Sequence, residues 1–253
     1  MSLLSGADLL YNIRKYYAPS KEELEAFIVA VISMTVIVAF NDGRPTFEWG
    51  HWLYNFLISA LVVFVAALVF ISAQRVMAFW WGYRAELKIF FPGLGIGLLL
   101  TLMTFGTFPW LWWLGTHGIQ VHMLEAQRLG YFRYITRIWD VAIIAMMGPI
   151  SLIFLALFFR FFYFLPNTEI LQQAVKITLI YAFYQMLPIP PLAGHNILFA
   201  SRWVYFLLLG TIIGLGILLV IPAIPFLIAF LGACVIGLFS LIFFFKVVEK
   251  KLM

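Results

Sequence analysis

The stretch 186–196, MLPIPPLAGHN, sets three prolines, a glycine and a histidine between two apolar segments. Backbone freed by proline at membrane depth must find a partner in protein or water. The stretch is therefore either a loop outside the bilayer or irregular backbone held inside the protein for a purpose. His195 within it is the one histidine that adjoins a spanning segment in a setting suited to chemistry. His117, His122 and Glu125 lie in the longest polar connection, 116–139. The H-x-x-E spacing of 122 and 125 puts two metal-capable groups on one helical face, a weak signal that a solvated interfacial loop explains better. His51, in a tryptophan-rich turn, reads as interfacial. The 11 carboxylates all fall in expected loops or at span ends. Proton-coupled transport and aspartyl proteolysis need acids at membrane depth, and no G-x-S-x-G nucleophile motif is present, so these chemistries lose their footing.

Such residues need a scaffold, and composition says which kind. The chain of 253 residues is 64% hydrophobic and 11% charged, with mean hydropathy +1.03. Soluble domains are about 45–50% apolar and about 25% charged. The expected class is an all-α polytopic membrane protein of six to seven transmembrane helices. The net charge of +5 comes from basic residues scattered at segment ends, which suits lipid headgroups and topology signals, not nucleic acid. Cys234 is alone in an apolar run, so neither a disulfide within the chain nor a cysteine metal cluster is expected. No positively charged stretch precedes an apolar one at the N-terminus, so no cleaved signal peptide is expected.

Residues 1–26 read as an amphipathic N-terminal segment, 27–247 as a single transmembrane domain and 248–253 as a basic tail, cytoplasmic by positive-inside logic. Ser20 followed by Glu23 forms a capping box that starts a first span over about 21–40. A second covers about 53–81, with Gln74 and Arg75 near its end. The alternation in 83–89, YRAELKI, fits a short strand. A third apolar region, 94–115, closes on the aromatic run PWLWWLG. Further spans are expected over about 140–164 and 170–187. After Arg202 a helical hairpin breaks at Pro222 and Pro225. Arg75, Arg160 and Lys176, the basic residues inside spans, are expected to snorkel to an interface.

Two stretches carry a family likeness. QMLPIPPLAG (185–194) resembles the second signature of the intramembrane site-2 protease metalloproteases, archaeal-type branch, N-x-x-P-x-P-x-L-D-G, whose aspartate is a zinc ligand. The first signature of that family is H-E-x-x-H on a helix, two histidines holding zinc and a glutamate acting as base. It is followed by small residues and a strand, a segment that AFWWGYRAELKIFFPG (78–93) resembles through Ala78 and Gly82. Counting back places the metal signature at Phe70-Ile71-Ser72-Ala73-Gln74. MGPISL (147–152) resembles the family's glycine-proline near the fourth helix. Order and spacing match over about 40–220, so the resemblance implies a site-2-protease-like core there and a prokaryotic, archaeal cell membrane.

The departures carry the functional expectation. Phe70 and Gln74 stand at the histidine positions, Ile71 at the glutamate, Ala193 at the aspartate between Leu192 and Gly194, Gln185 at the asparagine, and Leu152 where an asparagine often follows the glycine-proline. Phenylalanine, isoleucine and alanine offer zinc no lone pair, and one glutamine amide is a poor ligand. Without the metal no water is activated. The expectation is a pseudoprotease with no zinc and no other cofactor, with Phe70 and Ile71 sealing the old aqueous pocket. The scaffold would bind other integral membrane proteins or transmembrane helices, besides membrane lipids. Gln74, Arg84, Glu86, Gln185, Pro188, Pro190, Pro191, Gly194 and His195 are the candidate cleft residues, and 83–89 is the strand that would pair with an extended segment. Two alternatives stand beside it. One is a divergent zinc protease using His195 with His117 or His122. The other is a small transporter or channel, for which the polar candidates are Gln74, Gln172, Gln173, Lys176, Tyr184 and Gln185.

Overall fold

Ser20 and Glu23 start the first long helix as their spacing predicts. In the computed structural model, which describes residues 6–41, 43–44, 47–124, 136–164, 168–219, 221 and 224–248, the Glu23 N–H donates to Ser20 Oγ at 3.2 Å and the Ser20 N–H donates to Glu23 Oε2 at 2.9 Å. Two donors that a helix start leaves without partners are thereby satisfied. Helix α2 (Lys21–Ala39) follows, preceded by a short helix α1 (Gly6–Tyr16). The boundary expected at 26/27 thus falls inside α2.

The chain continues through α3 (Trp49–Trp80), β1 (Tyr83–Ile89), α4 (Phe91–Thr104), β2 (His117–Met123), α5 (Ile138–Phe161), α6 (Thr168–Gln185), α7 (Ala193–Ala200), α8 (Arg202–Leu218) and α9 (Phe226–Phe243). Among the described residues these make nine helices and one two-stranded sheet. Three helical segments, α3, α5 and Phe226–Val247, are long and apolar enough to cross a membrane. The 32 residues of α3 extend roughly 48 Å, against a hydrocarbon core of roughly 30 Å, so an end of α3 reaches beyond it.

The apolar region 94–115 is not one helix. Helix α4 stops at Thr104, where Phe105 (φ 50°) and Gly106 (φ 64°) turn left-handed. The chain then returns beside α4: Cβ atoms built on Gly97 and Gly93 would run into the backbone carbonyls of Trp113 and Gly115. Only glycine admits that approach. The return closes where the Phe90 N–H donates to the Thr116 carbonyl at 2.9 Å. β1 and β2 are therefore the base of one long excursion, paired antiparallel from Tyr83↔Met123 to Ile89↔His117.

Helix α5 occupies the centre, packed on α3, α6 and α7. Helices α8 and α9 pack on each other through small residues, with a Cβ on Gly214 falling 2.9 Å from Ala233 Cα. Such close approach is how apolar helices gain van der Waals contact where hydrophobic driving force is weak.

Arg160 does not snorkel. It is 5% exposed, its Nη2 donates to the carbonyls of Ile221 (3.0 Å) and Ile224 (2.8 Å), and its guanidinium stacks 4.1 Å from the Tyr163 ring centre. The carbonyls freed beyond the end of α8 thus take their donors from an arginine on α5. Lys176, by contrast, is exposed.

Candidate functional site

Phe70 and Gln74 lie one turn apart on α3 and share a face. Both are buried, at 1% exposure each. They press on Gly148 of α5, where a Cβ would fall 2.6 Å from both Gln74 Nε2 and Phe70 Cζ. Glycine at 148, just before Pro149, is thus the condition for α3 and α5 to meet there. The Gln74 Nε2 donates to the Ala145 carbonyl at 3.2 Å.

Phe70 fills the centre. Its ring stands edge-on to His117 (centroids 5.6 Å, 88°) and tilted against Tyr181 (5.2 Å). His117 is fully buried at the start of β2, which corrects the expectation of a solvated interfacial loop at that position. Tyr181 and Gln185, one turn apart on α6, both engage it. Tyr181 Oη lies 2.8 Å from His117 Nε2, and Gln185 Nε2 donates to the His117 carbonyl at 3.2 Å. Among the described residues Tyr181 has no other acceptor, so its proton goes to Nε2. His117 then carries its own proton on Nδ1, facing Thr116 Oγ1 at 3.4 Å. The sequence gives one clue to this residue: in HGIQVHM the strand alternation makes position 117 an inward one.

Burial pushes the His117 pKa down to about 4, so the folded protein holds the imidazole neutral. The unfolded chain protonates it below about pH 6.5. His117 therefore contributes stability that is fully present above about pH 6.5 and is lost as pH falls toward 4, about 3 kcal/mol in all. Unfolding free energy measured against pH should fall across that window, and His117→Gln should flatten the fall. An unchanged slope in the variant would assign the acid sensitivity to another group.

The oxygens Gln74 Oε1 and Gln185 Oε1 are buried with no hydrogen-bond donor among the described residues. An acceptor stranded this way costs about 1–3 kcal/mol, and here it happens twice at two matched positions. Ala193, buried, opens α7, which packs on α5. Gly194 must stay glycine because a Cβ there would collide with the Met186 carbonyl. Pro188 and Pro190 are exposed, Pro191 is half-buried and the 190–191 peptide is cis. His195 is half-buried with its ring 4.5 Å from Phe199 on its own helix; it makes no hydrogen bond or ring contact with Phe70, Gln74 or His117. His122 is exposed, 3.9 Å from Glu86, and Glu125 lies outside the described residues. No three His, Cys, Asp or Glu side chains gather among the described residues. The donors at the two signatures, one amide at 74 and none at 70 or 193, do not fit zinc.

Ile71 does not join Phe70. It lines a separate cavity with Tyr17, Glu23, Ser72, Arg75 and Leu87, so of the two only Phe70 faces the centre. Arg75, expected to snorkel, is instead buried in that second cluster. Its Nη2 donates to Glu23 Oε1 at 2.7 Å and its Nη1 to the Tyr17 carbonyl at 3.2 Å. Glu23 is a buried carboxylate, at 4% exposure, although it belongs to the first turn of α2. Asp140 is the other: Tyr83 Oη donates to its Oδ2 at 2.6 Å. Burial first, and that hydrogen bond second, push the Tyr83 pKa up to about 12.

The two strand edges differ. Because 90 and 116 exchange a ladder bond, the N–H and C=O of 83, 85, 87 and 89 on β1, and of 117, 119, 121 and 123 on β2, point away from the partner strand. On β1 the outward Leu87 N–H donates to Glu23 Oε1 at 3.2 Å, and α2 and α3 pack along that side. The expectation that 83–89 receives an extended segment therefore meets a covered edge. On β2 Gln185 takes the His117 carbonyl, while the outward groups of Ile119, Val121 and Met123 have no partner among the described residues. Arg84 and Glu86, paired at 3.2 Å, lie half-exposed on the sheet face. Of the polar residues a permeation path would need, Gln173 is bound to Asn55 and Ser59, and Tyr184 donates to the Trp110 carbonyl.

No family model, curated protein or solved structure matches this chain.

Proposed function

We propose that this chain is a catalytically inactive, site-2-protease-like membrane protein that holds an extended segment of another membrane protein along the outer edge of β2. The observation that carries the proposal is the outer edge of β2, where the outward groups of Ile119, Val121 and Met123 have no partner among the described residues, lying beside a centre filled by Phe70, His117 and Tyr181. Backbone donors and acceptors in a row are complementary to an extended peptide. The centre holds one imidazole, His117, whose Nε2 is engaged by Tyr181, and among the described residues gathers no second and third metal ligand beside it, so nothing there activates water against the held segment. The proline stretch packs on the face of β2 next to that edge, because a Cβ on Gly118 would run into Pro191.

Six spans fit this reading: α2, α3, α5, α6, α8 and α9, with 83–123 as an excursion from one side. Three contacts support alternating directions. Gly106 lies against Phe40 and Asn41 at the end of α2. Gln173 early in α6 meets Asn55 and Ser59 early in α3, and Arg160 late in α5 meets the turn after α8. An even number of crossings puts α1 and the end of α9 on one side. The archaeal cell membrane rests on the resemblance alone.

Val121→Pro tests the binding mode. Its N–H points away from β1, so proline there removes an edge donor without breaking the ladder. Partners crosslinked to the full chain in native membranes should fall about tenfold with Val121→Pro and persist with Val121→Thr, the factor expected for one lost hydrogen bond. Equal recovery from both variants rejects the edge. Stoichiometric zinc together with cleavage of transmembrane substrates by the purified protein rejects the inactive assignment.

A further inference from the structure

We propose that the cavity between α2, α3 and the α1–α2 linker holds one hydrocarbon chain of a bilayer phospholipid, an inference that rests on the membrane-spanning reading. The cavity measures about 200 Å³. Leu24 on α2 and Leu68 on α3 form part of its lining, and they are 49% and 45% exposed. These two residues are exposed on the outer faces of two spanning helices, so the opening between them faces lipid where headgroups meet hydrocarbon. Phe27 and Ile71 form apolar walls.

The other end is polar. Tyr17 Oη and Ser72 Oγ lie 2.9 Å apart, with the Glu23–Arg75 pair beside them. Two hydroxyls sharing one hydrogen bond leave a second proton free to donate, which matches an oxygen of the lipid's glycerol linkage. That end lies by the first turn of α2, where Lys21 and Glu22 are exposed, at headgroup depth. Polar at the interface and apolar below it is the gradient of a lipid.

Size selects the occupant. A helix with its side chains is about 10–12 Å across and does not fit. Apolar cavities of about 150 Å³ stay dry and accept hydrocarbon, which disfavours water.

Full-length protein would be reconstituted in phosphatidylcholine vesicles containing a small fraction of phosphatidylcholine with a diazirine on one acyl chain. After irradiation, label is mapped by mass spectrometry. Label should concentrate on Phe27, Leu68 and Ile71 relative to Leu231 and Val235, exposed residues of α9 that report ordinary lipid contact. Leu68→Trp, which fills the opening from an already exposed position, should lower cavity labelling about tenfold, as expected for expelling two methylenes. Leu24→Trp closes it from the opposite helix and should do the same. Labelling of the cavity no greater than that of α9, or unchanged by both tryptophans, overturns the lipid site while leaving the spanning reading intact. No labelling of α9 overturns the spanning reading itself.

Discussion

Glu23→Ala is expected to destabilise the protein by about 3–5 kcal/mol, the cost of leaving a buried partner charge uncompensated. Four groups converge on this carboxylate. Arg75 Nη2 and the Leu87 N–H reach Oε1, the Ser20 N–H reaches Oε2, and Arg84 Nη2 stands 3.9 Å from Oε2. One side chain thereby caps α2, neutralises α3 and closes the outer edge of β1. Arg75→Leu should cost a similar amount for the mirror-image reason. The double variant Glu23→Leu/Arg75→Leu should recover most of the loss, because two apolar groups replace two buried charges. It should still fall short by about 1–3 kcal/mol, since the Leu87 N–H remains without an acceptor. Unfolding in mixed micelles, followed by circular dichroism, measures all three. A Glu23→Ala change within about 0.5 kcal/mol of wild type would place the pair in water, where exposed ion pairs contribute that little.

The same residue marks what was legible in the sequence and what was not. The capping box fixed the start of α2 from two letters, because Ser20 and Glu23 satisfy each other's backbone within one turn. Alternation in YRAELKI placed β1 to the residue, and Pro222 and Pro225 placed the break between α8 and α9. Nothing local said that Glu23 and Arg75, 52 positions apart, meet. A cation near a span end looks alike whether it snorkels or pairs, and both Arg75 and Arg160 proved buried. Hydropathy also failed at 94–115, where an apolar helix and an apolar extended return score alike. Phe105 and Gly106, left-handed in the fold, make the break, and Gly106 with Pro109 is a helix-stop signal that the length of the apolar run concealed. At the centre, Phe70 and Gln74, one turn apart on α3, are both buried on one face. His117 was legible only as a loop histidine and alternative ligand, and Tyr181 not at all, because their contact spans 64 residues.

That centre makes the strongest demand on the register. Phe70→His combined with Gln74→His should convert a chain without a zinc-competent donor set into one that binds about one zinc. The substituted imidazoles would share the face of α3 that now carries Phe70 and Gln74. Position 70 already holds a ring 5.6 Å from the His117 ring, a separation at which two ring nitrogens can each approach one zinc to about 2.0–2.1 Å. His117 would supply the third nitrogen once Tyr181 releases Nε2, and three protein ligands with one open position are the arrangement of a catalytic zinc. Adding His117→Gln to the double variant should lower zinc affinity at least about 100-fold, beyond the upper range seen when supporting residues alone are lost. Inductively coupled plasma mass spectrometry of protein purified with zinc, and competition with a chelator, read both quantities. Uptake of no zinc by the double variant would remove the register on which the proposed pseudoprotease reading stands. Zinc without proteolysis is the expected pairing, because Ile71 faces the α2–α3 cavity and no side chain at the centre is placed to take a proton from the bound water.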